Sequence, residues 1–356
     1  MILTELAVAD DVFEARTGWA IKPQGACKAE VCVPLPPEAR RRDGRLDVAV
    51  IADRLGMPIV ADERRSISAV GPETAVTGRV LSTAVAPELT LPDADGNPFR
   101  LSSLRGKKVI LTAWASWCGC RFDLPLWRDL RARWAPRDVE VVTVALDVDP
   151  DAARPHIEKA SADHPSLIDS AHVTDELFGF VNVPNGVWID EEGVLVRPSE
   201  PAHPGTNPFT EQFRSMDIDG LAPDDAEVMR EARKIRSDPD VYRTMIEDWI
   251  KHGPASEYAL APEEVVRRSA ARSDDEARAA AEFELGQWLH THGDHEGAIA
   301  HWRNAHRLYP SNWTYKRQAW NFEDPVRQDR TDAYDSCWFD DLKAIGAENY
   351  YPEIVP

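Results

Sequence analysis

Two cysteines follow a short apolar run and precede a helical pattern, and this stretch constrains the fold of the chain more than any other. Residues 108–113 (Lys-Val-Ile-Leu-Thr-Ala) have the composition of a buried strand, and apolar residues recur at helical spacing from Leu124 to Trp134. Cys118 and Cys120 are therefore expected where a strand passes into a helix. The free N–H groups and the dipole of a helix N-terminus favour an anion, including the thiolate that attacks disulfides and binds metals.

Residues 114–125 read Trp-Ala-Ser-Trp-Cys-Gly-Cys-Arg-Phe-Asp-Leu-Pro. This run resembles W-A-x-W-C-x-x-C-R-x-E-x-P, the active-site segment of thioredoxin-fold redoxins of the TlpA/ResA branch, with one residue fewer between the cysteines. The resemblance aligns Cys118 with the attacking thiol and Cys120 with the resolving thiol. Arg121 adds a fixed positive charge beside them, and Trp117 is expected to contact substrate. A Cys-Gly-Cys disulfide needs a tight, irregular turn, which the intervening glycine permits.

A second segment, residues 181–193, reads Val-Asn-Val-Pro-Asn-Gly-Val-Trp-Ile-Asp-Glu-Glu-Gly. It resembles the V-P-x-x-x-x-I-D-x-x-G run of the same family. The resemblance implies a cis peptide bond before Pro184, a loop that faces Cys118, and a Val183 backbone that pairs with an extended substrate. Together the two matches predict a thioredoxin-like α/β domain over residues 85–198.

The rest of the chain divides into a small N-terminal unit and a helical C-terminal part. Residues 1–84 are expected to form an α+β unit, and residues 199–260 a loop and helical connector. Residues 261–356 are expected to be helical with an acidic, aromatic tail, and residues 285–310 resemble one tetratricopeptide repeat. Because about three such repeats are needed for a free-standing array, this one is expected to pack on the rest of the protein.

Length, charge and hydropathy restrict the class of protein. The chain has 356 residues, enough for two or three domains. Its net charge of −20 argues against nucleic acid or an anionic membrane surface as the main partner. The first residues lack a signal-peptide pattern and no stretch is long enough to span a bilayer, so a cytoplasmic location with reduced thiols is expected.

Cys27 and Cys32 lie five positions apart in the N-terminal unit, and their spacing leaves several interpretations open. They suit a disulfide, an electron relay to the central cysteines, or two ligands of a soft metal, and they equally suit two small buried residues. Together with Cys118 and Cys120 they would offer four sulfur ligands to Cu(I), Zn or Hg(II). Without that metal site, no cofactor is expected.

The leading hypothesis is a thiol–disulfide oxidoreductase in which Cys118 attacks a disulfide and Cys120 resolves the mixed disulfide. Arg121 and the helix N-terminus are expected to lower the Cys118 pKa, and Asp147, at the end of the second central strand, is a candidate proton acceptor. The expected partner is an external thiol reductant or a disulfide substrate. A protein partner at the tetratricopeptide-like region and an oligomeric state both stay open.

Two alternatives to the oxidoreductase remain at this stage. One is a soft-metal thiolate-binding protein. The other is a thiol-dependent enzyme for a small sulfur, selenium or peroxide compound, with the N-terminal unit closing over the cysteines. A deep pocket at Cys118 would favour the small compound, whereas an open groove would favour a protein substrate.

Overall fold

The computed structural model of the protein describes residues 1–28, 30–325 and 327–355. Its N-terminal unit consists of short strands, paired in small antiparallel sheets, and two short helices around a core of its own. The strands are β1 Ile2–Leu3, β2 Ala7–Val8, β3 Ala20–Lys22, β4 Gly25–Lys28, β5 Val31–Val33, β6 Leu46–Asp47, β7 Ile59–Asp62 and β8 Ile67–Val70, and the helices are α1 Asp10–Thr17 and α2 Val48–Leu55.

Helix α2 shows how local sequence determines structure in this unit. The Asp47 side chain accepts a hydrogen bond from the backbone N–H of Val50 and so caps the N-terminus of the helix. Gly56 ends the helix in the left-handed conformation, with φ of 67°, which a residue with a side chain rarely adopts. The helical pattern at residues 46–55 and its glycine stop are thus confirmed, apart from the first two residues, which form β6.

The central domain is a mixed sheet that carries the two cysteines beyond the end of its middle strand. Its elements are β9 Thr90–Pro92, β10 Pro98–Arg100, β11 Lys108–Trp114, α3 Leu124–Trp134, β12 Val139–Ala145, α4 Pro150–Ala160, β13 Ser166–Ile168, α5 Val173–Phe178, β14 Asn185–Ile189 and β15 Leu195–Pro201. The strand order is β13-β12-β11-β14-β15; the first three strands are parallel, β14 is antiparallel to β11, and β15 is antiparallel to β14. Every residue of β11 and β12 is buried, as expected of apolar strands in a covered parallel sheet. The predicted thioredoxin-like α/β fold class is confirmed.

The C-terminal part is helical, as predicted. Its helices are α6 Pro208–Ser215, α7 Pro223–Ala232, α8 Pro239–His252, α9 Pro262–Arg268, α10 Asp274–Thr291, α11 His295–Leu308, α12 Trp313–Glu323 and α13 Trp338–Ile345. Helix α8 covers one face of the central sheet, because its Met245, Ile246 and Trp249 join the same apolar core as Ile110 and Trp188 of the strands. Single 3-10 turns occupy Pro37–Ala39, Leu101–Leu104, Gly119–Asp123, Ala135–Arg137, Gly253–Ala255 and Ala347–Asn349.

Helices α10 and α11 form a closely packed hairpin that rests on the N-terminal unit. Helix α10 contacts β1, β7 and β8, so this hairpin does not stand alone. The close approach of the two helices depends on Gly286, where an added Cβ would lie 2.5 Å from Nε1 of Trp302. Within the part of the chain described above, no helix is long and apolar enough to cross a membrane.

We expect Gly286→Ala to lower the free energy of unfolding by about 1–3 kcal/mol, the usual cost of overpacking a rigid core. The added Cβ would meet the Trp302 ring, and the higher helix propensity of alanine offsets only part of this cost. Denaturant unfolding followed by circular dichroism measures the change. Gly220→Ala is the matched control, because a Cβ there meets nothing within 4 Å. Equal stability of the two variants would contradict the packing argument.

Candidate active site

Cys118 and Cys120 lie together in the loop that follows β11. The two cysteines lie where β11 passes into a helix, as expected; the Gly119–Asp123 segment is a 3-10 turn, and the α-helix begins at Leu124. Cys118 caps this turn, because its Sγ accepts a hydrogen bond from the backbone N–H of Cys120 at 3.5 Å. The positive end of a short turn therefore faces the Cys118 sulfur.

The loop that carries Pro184 faces the Cys118 sulfur. The peptide bond between Val183 and Pro184 is cis, and Cys118 Sγ lies 3.5 Å from the carbonyl oxygen of Val183. The same carbonyl oxygen accepts a hydrogen bond from the Tyr351 hydroxyl at 2.9 Å. The Val183 N–H donates to Oδ1 of Asn182 at 2.9 Å. Both backbone groups that the resemblance assigns to an extended substrate thus have partners within the chain.

The C-terminal part, and not the N-terminal unit, closes over the cysteine loop. From α12, Arg317 donates a 2.8 Å hydrogen bond to the Trp117 carbonyl oxygen, and its guanidinium lies 4.9 Å from the Trp117 ring centre. Oε1 of Gln318 accepts hydrogen bonds from Nε1 of Trp117 at 3.1 Å and from the Val148 N–H at 3.2 Å. Only 4% of the Cys118 surface is exposed as a result. Trp117 thus contacts α12 through its ring and its carbonyl oxygen, and its contact with substrate stays a prediction.

The two thiols have opposite pKa shifts. The pKa of Cys118 is lowered to about 6, first by the hydrogen bond from the Cys120 thiol, against the effect of burial, and then by the charge of Arg317. Burial raises the pKa of Cys120, and the charge of Cys118 adds to this. Arg121 was the expected cation, but its guanidinium donates to the Cys118 carbonyl oxygen at 2.9 Å and lies over the Phe122 ring. Arg317, which the sequence analysis missed, supplies the charge instead.

Two buried carboxyl groups lie near the thiols. Burial raises the pKa of Asp123 to about 7, although its hydrogen bond from Asn207 opposes the rise, and the charge of Cys118 adds to it. Burial likewise raises the pKa of Asp147 to about 6, and its oxygens accept hydrogen bonds from the N–H and hydroxyl of Ser116. Both groups can exchange a proton near neutral pH. Of these two carboxyl groups the sequence predicts Asp147 alone; the acidic position of the cysteine motif is the sequence signal for Asp123.

Cys27 and Cys32 form a disulfide between β4 and β5, where they are directly opposite each other. The neighbouring Ala26 belongs to the N-terminal core, whereas Cys118 and Cys120 belong to the core of the central domain. The four-sulfur metal site is therefore not assembled, and the proposed relay pair is not brought to the central pair. Among the described residues, no group of three or more His, Cys, Asp or Glu side chains is placed to hold a metal ion.

The fold and the site define a redoxin-type thioredoxin-like domain with a variant Cys-Gly-Cys pair. Residues 83–197, about a third of the chain, match the AhpC/TSA family. This match and the relatives described next confirm the resemblance on which the sequence analysis relied.

Curated relatives cover the same central region. The chain is 24% identical over 113 residues to "Thiol-disulfide oxidoreductase ResA" of Bacillus thuringiensis, an alignment that spans 32% of this chain and 65% of that protein. It is 28% identical over 138 residues to "Thioredoxin-like protein YneN" of Bacillus subtilis, across 38% of this chain and 78% of that protein. The chain thus spans just under two thirds of the length of the first of these relatives. Among solved structures, a putative thiol:disulfide interchange protein DsbE from Chlorobium tepidum is 26% identical, with a TM-score of 0.32, across 42% of this chain and 92% of that one.

We expect Arg317→Gln to shift the alkylation of Cys118 to higher pH. In the unchanged protein, reaction with iodoacetamide should be half-maximal near pH 6, because only the thiolate reacts and its fraction rises with pH through the pKa. Removing the nearby cation should raise this midpoint by about 1 pH unit or more. Mass spectrometry of the alkylated peptide gives the midpoint. Arg121→Gln is the control; an equal shift in that variant would contradict the assignment to Arg317.

Proposed function

We propose that the protein is a thiol–disulfide oxidoreductase in which Cys118 is the attacking thiol and Cys120 the resolving thiol. The observation that carries the proposal is the asymmetry of the pair, since the pKa of Cys118 is lowered to about 6 and the pKa of its hydrogen-bonded neighbour is raised. At neutral pH one sulfur is a nucleophile and the other keeps its proton until the second step. The similarity of the central domain to relatives named as oxidoreductases supports the same conclusion.

The bonds, protons and electrons of this thiol–disulfide exchange balance without a cofactor bound to the protein. The Cys118 thiolate attacks a substrate disulfide, so that a Cys118–substrate disulfide forms and one half of the substrate leaves as a thiolate. Cys120 then loses its proton to a carboxylate and attacks the Cys118 sulfur, which releases the other half as a second thiolate. Two electrons pass from the cysteine pair to the substrate, and an external thiol reductant returns them. The reverse sequence oxidises a substrate dithiol.

Asp123 is the better placed of the two carboxyl groups to accept the Cys120 proton. Its charge raises the pKa of Cys120, and the charge of Cys118 in turn raises the pKa of Asp123, so this carboxyl group interacts electrostatically with both thiols. The oxygens of Asp147 are held by Ser116 instead. We assign Asp147 to the support of the loop before Cys118.

A redox titration tests the proposal. We expect Cys118 and Cys120 to form and lose a mutual disulfide at a defined potential, as followed by alkylation and mass spectrometry in glutathione or dithiothreitol buffers. Cys120→Ser should accumulate the mixed disulfide, and Cys118→Ser should abolish exchange. Cys337→Ser is the control, because it removes the third free thiol of the described chain and leaves the Cys118–Cys120 pair intact. If the two cysteines never pair at any potential, the two-cysteine mechanism fails.

The resolving step should depend on pH through Asp123. The carboxylate is the form that accepts a proton, so the rate of mixed-disulfide resolution should rise with pH as Asp123, whose pKa is raised by burial, becomes ionised. In Asp123→Asn we expect this dependence to disappear and the rate at pH 8 to fall by about a hundredfold, the usual contribution of a general base. Stopped-flow measurement of disulfide formation gives both values. A larger loss in Asp147→Asn than in Asp123→Asn would reverse the assignment.

A further inference from the structure

The face of the active site that an extended polypeptide would need is filled by the chain itself. The Val183 carbonyl oxygen accepts from the Tyr351 hydroxyl, and the Val183 N–H is bonded to Asn182. The amide of Asn182 also donates to the Tyr350 carbonyl oxygen at 3.1 Å. A protein substrate could pair with this loop only after the Tyr350–Tyr351 segment had moved away.

This cover is fixed firmly to the loops around Cys118. The N–H of Trp313, at the start of α12, donates to the Val181 carbonyl oxygen at 2.7 Å. Asn312 Nδ2 donates to Oδ2 of Asp175 at 3.2 Å, and the Tyr315 hydroxyl donates to the same carboxylate. These bonds are buried, so displacing α12 would leave several polar groups without partners in an apolar surrounding. The cover on this side is therefore part of the site and not a mobile lid.

Another part of the cysteine loop, around Gly119 and Phe122, is covered by α6, a helix without buried side chains. The Phe209 ring lies 3.4 Å from the position that a Cβ would take on Gly119, and it stacks on Phe122 with ring centres 4.3 Å apart. Yet no side chain of α6 is buried, and Phe209 itself is 40% exposed. Its other link to the loop is the hydrogen bond from Asn207 to Asp123. Little apolar surface would be lost if α6 moved, so opening here costs far less than removing α12.

A polar atom without a partner lies in the chain segment that leads into α6. The imidazole of His203 packs edge-on against Tyr351, with ring centres 4.9 Å apart, and its Nε2 is buried without a hydrogen bond among the described residues. Buried polar atoms in proteins nearly always have partners, so an unpaired one next to the active-site cover suits a ligand that brings a polar group.

The geometry points to a disulfide compound of low molecular weight as the substrate of the Cys118–Cys120 pair, admitted by displacement of α6. This inference rests on the thiol–disulfide exchange proposed above. In the step, the Cys118 thiolate and the Cys120 thiol reduce one R–S–S–R molecule, which leaves as RS⁻ and RSH, and the pair becomes a Cys118–Cys120 disulfide. A folded protein disulfide is excluded because α12 and the Tyr350–Tyr351 segment stay in place.

The test compares disulfides of different size on the full chain. The protein is reduced with dithiothreitol, freed of it, and mixed with hydroxyethyl disulfide, glutathione disulfide or insulin, and Cys118–Cys120 disulfide formation is followed by quenched alkylation. We expect the two small disulfides to react more than about tenfold faster than insulin. Such a ratio corresponds to a clear difference in activation free energy between the small disulfides and the protein disulfide. Equal rates would overturn the inference on substrate class and leave the oxidoreductase standing. Failure of all three disulfides, with Cys118 still open to alkylation, would overturn both.

Variants at residue 209 test the route of entry. Phe209→Ala should raise the rate constant for glutathione disulfide severalfold and Phe209→Trp should lower it, because the ring closes the approach over Gly119. The alkylation midpoint of Cys118 should stay the same in both, which separates access from changes in thiol chemistry. Ile345→Ala, an exposed apolar position on α13, is the matched control. If both Phe209 variants react with glutathione disulfide at the same rate as the control variant, α6 is excluded as the entrance.

Discussion

The active site depends on a guanidinium that is largely withdrawn from water beside a buried sulfur. Arg317 donates hydrogen bonds to neutral groups of Trp117, Gln328 and Tyr350, and in the described chain no carboxylate forms an ion pair with it. The Cys118 thiolate is the nearby anion, and each charge favours the ionised form of the other. Burial, which alone would keep the thiol protonated, is compatible with a reactive thiolate because of the hydrogen bond from the Cys120 thiol and the charge of Arg317.

Several features place Arg317 at that position. Helix α12 is anchored beside α5 by the buried carboxyl group of Asp175, which binds both Asn312 and the Tyr315 hydroxyl. Burial raises the pKa of Asp175 to about 7, so a substantial fraction of this carboxyl group is protonated near neutral pH and the anchor relies on its hydrogen bonds. The catalytic loop of the central domain and the helical C-terminal part are therefore one functional unit, although they are far apart in the sequence.

The sequence was informative where structure is determined locally and less so where distant segments meet. The apolar run of β11, the helical spacing of α3 and the proline of the Val183–Pro184 bond each lie within a short, continuous segment, and the fold could be predicted from them. Arg317 could not be predicted, because a contact across 200 positions leaves no local pattern. Asp123 was visible within the motif, but its raised pKa comes from burial, which residue spacing does not reveal.

The spacing of Cys27 and Cys32 likewise left a disulfide, a metal site and a relay open. What decides among them is the register of two strands: β4 and β5 place the two residues opposite each other, where their sulfurs bond directly. Such pairing depends on the turn and on neighbouring strands, and a five-residue spacing is compatible with other registers too.

The distance of α12 from the cysteine loop along the chain has a consequence for biosynthesis. Ribosomes add about 5–20 residues per second, so the loop emerges on the order of ten seconds or more before the helix that covers it. During that interval the central sheet can form, but Cys118 has neither its cover nor its guanidinium. The nascent domain therefore passes through a stage in which its thiols are accessible and lack the charge of Arg317, and the complete site forms only when α12 has docked.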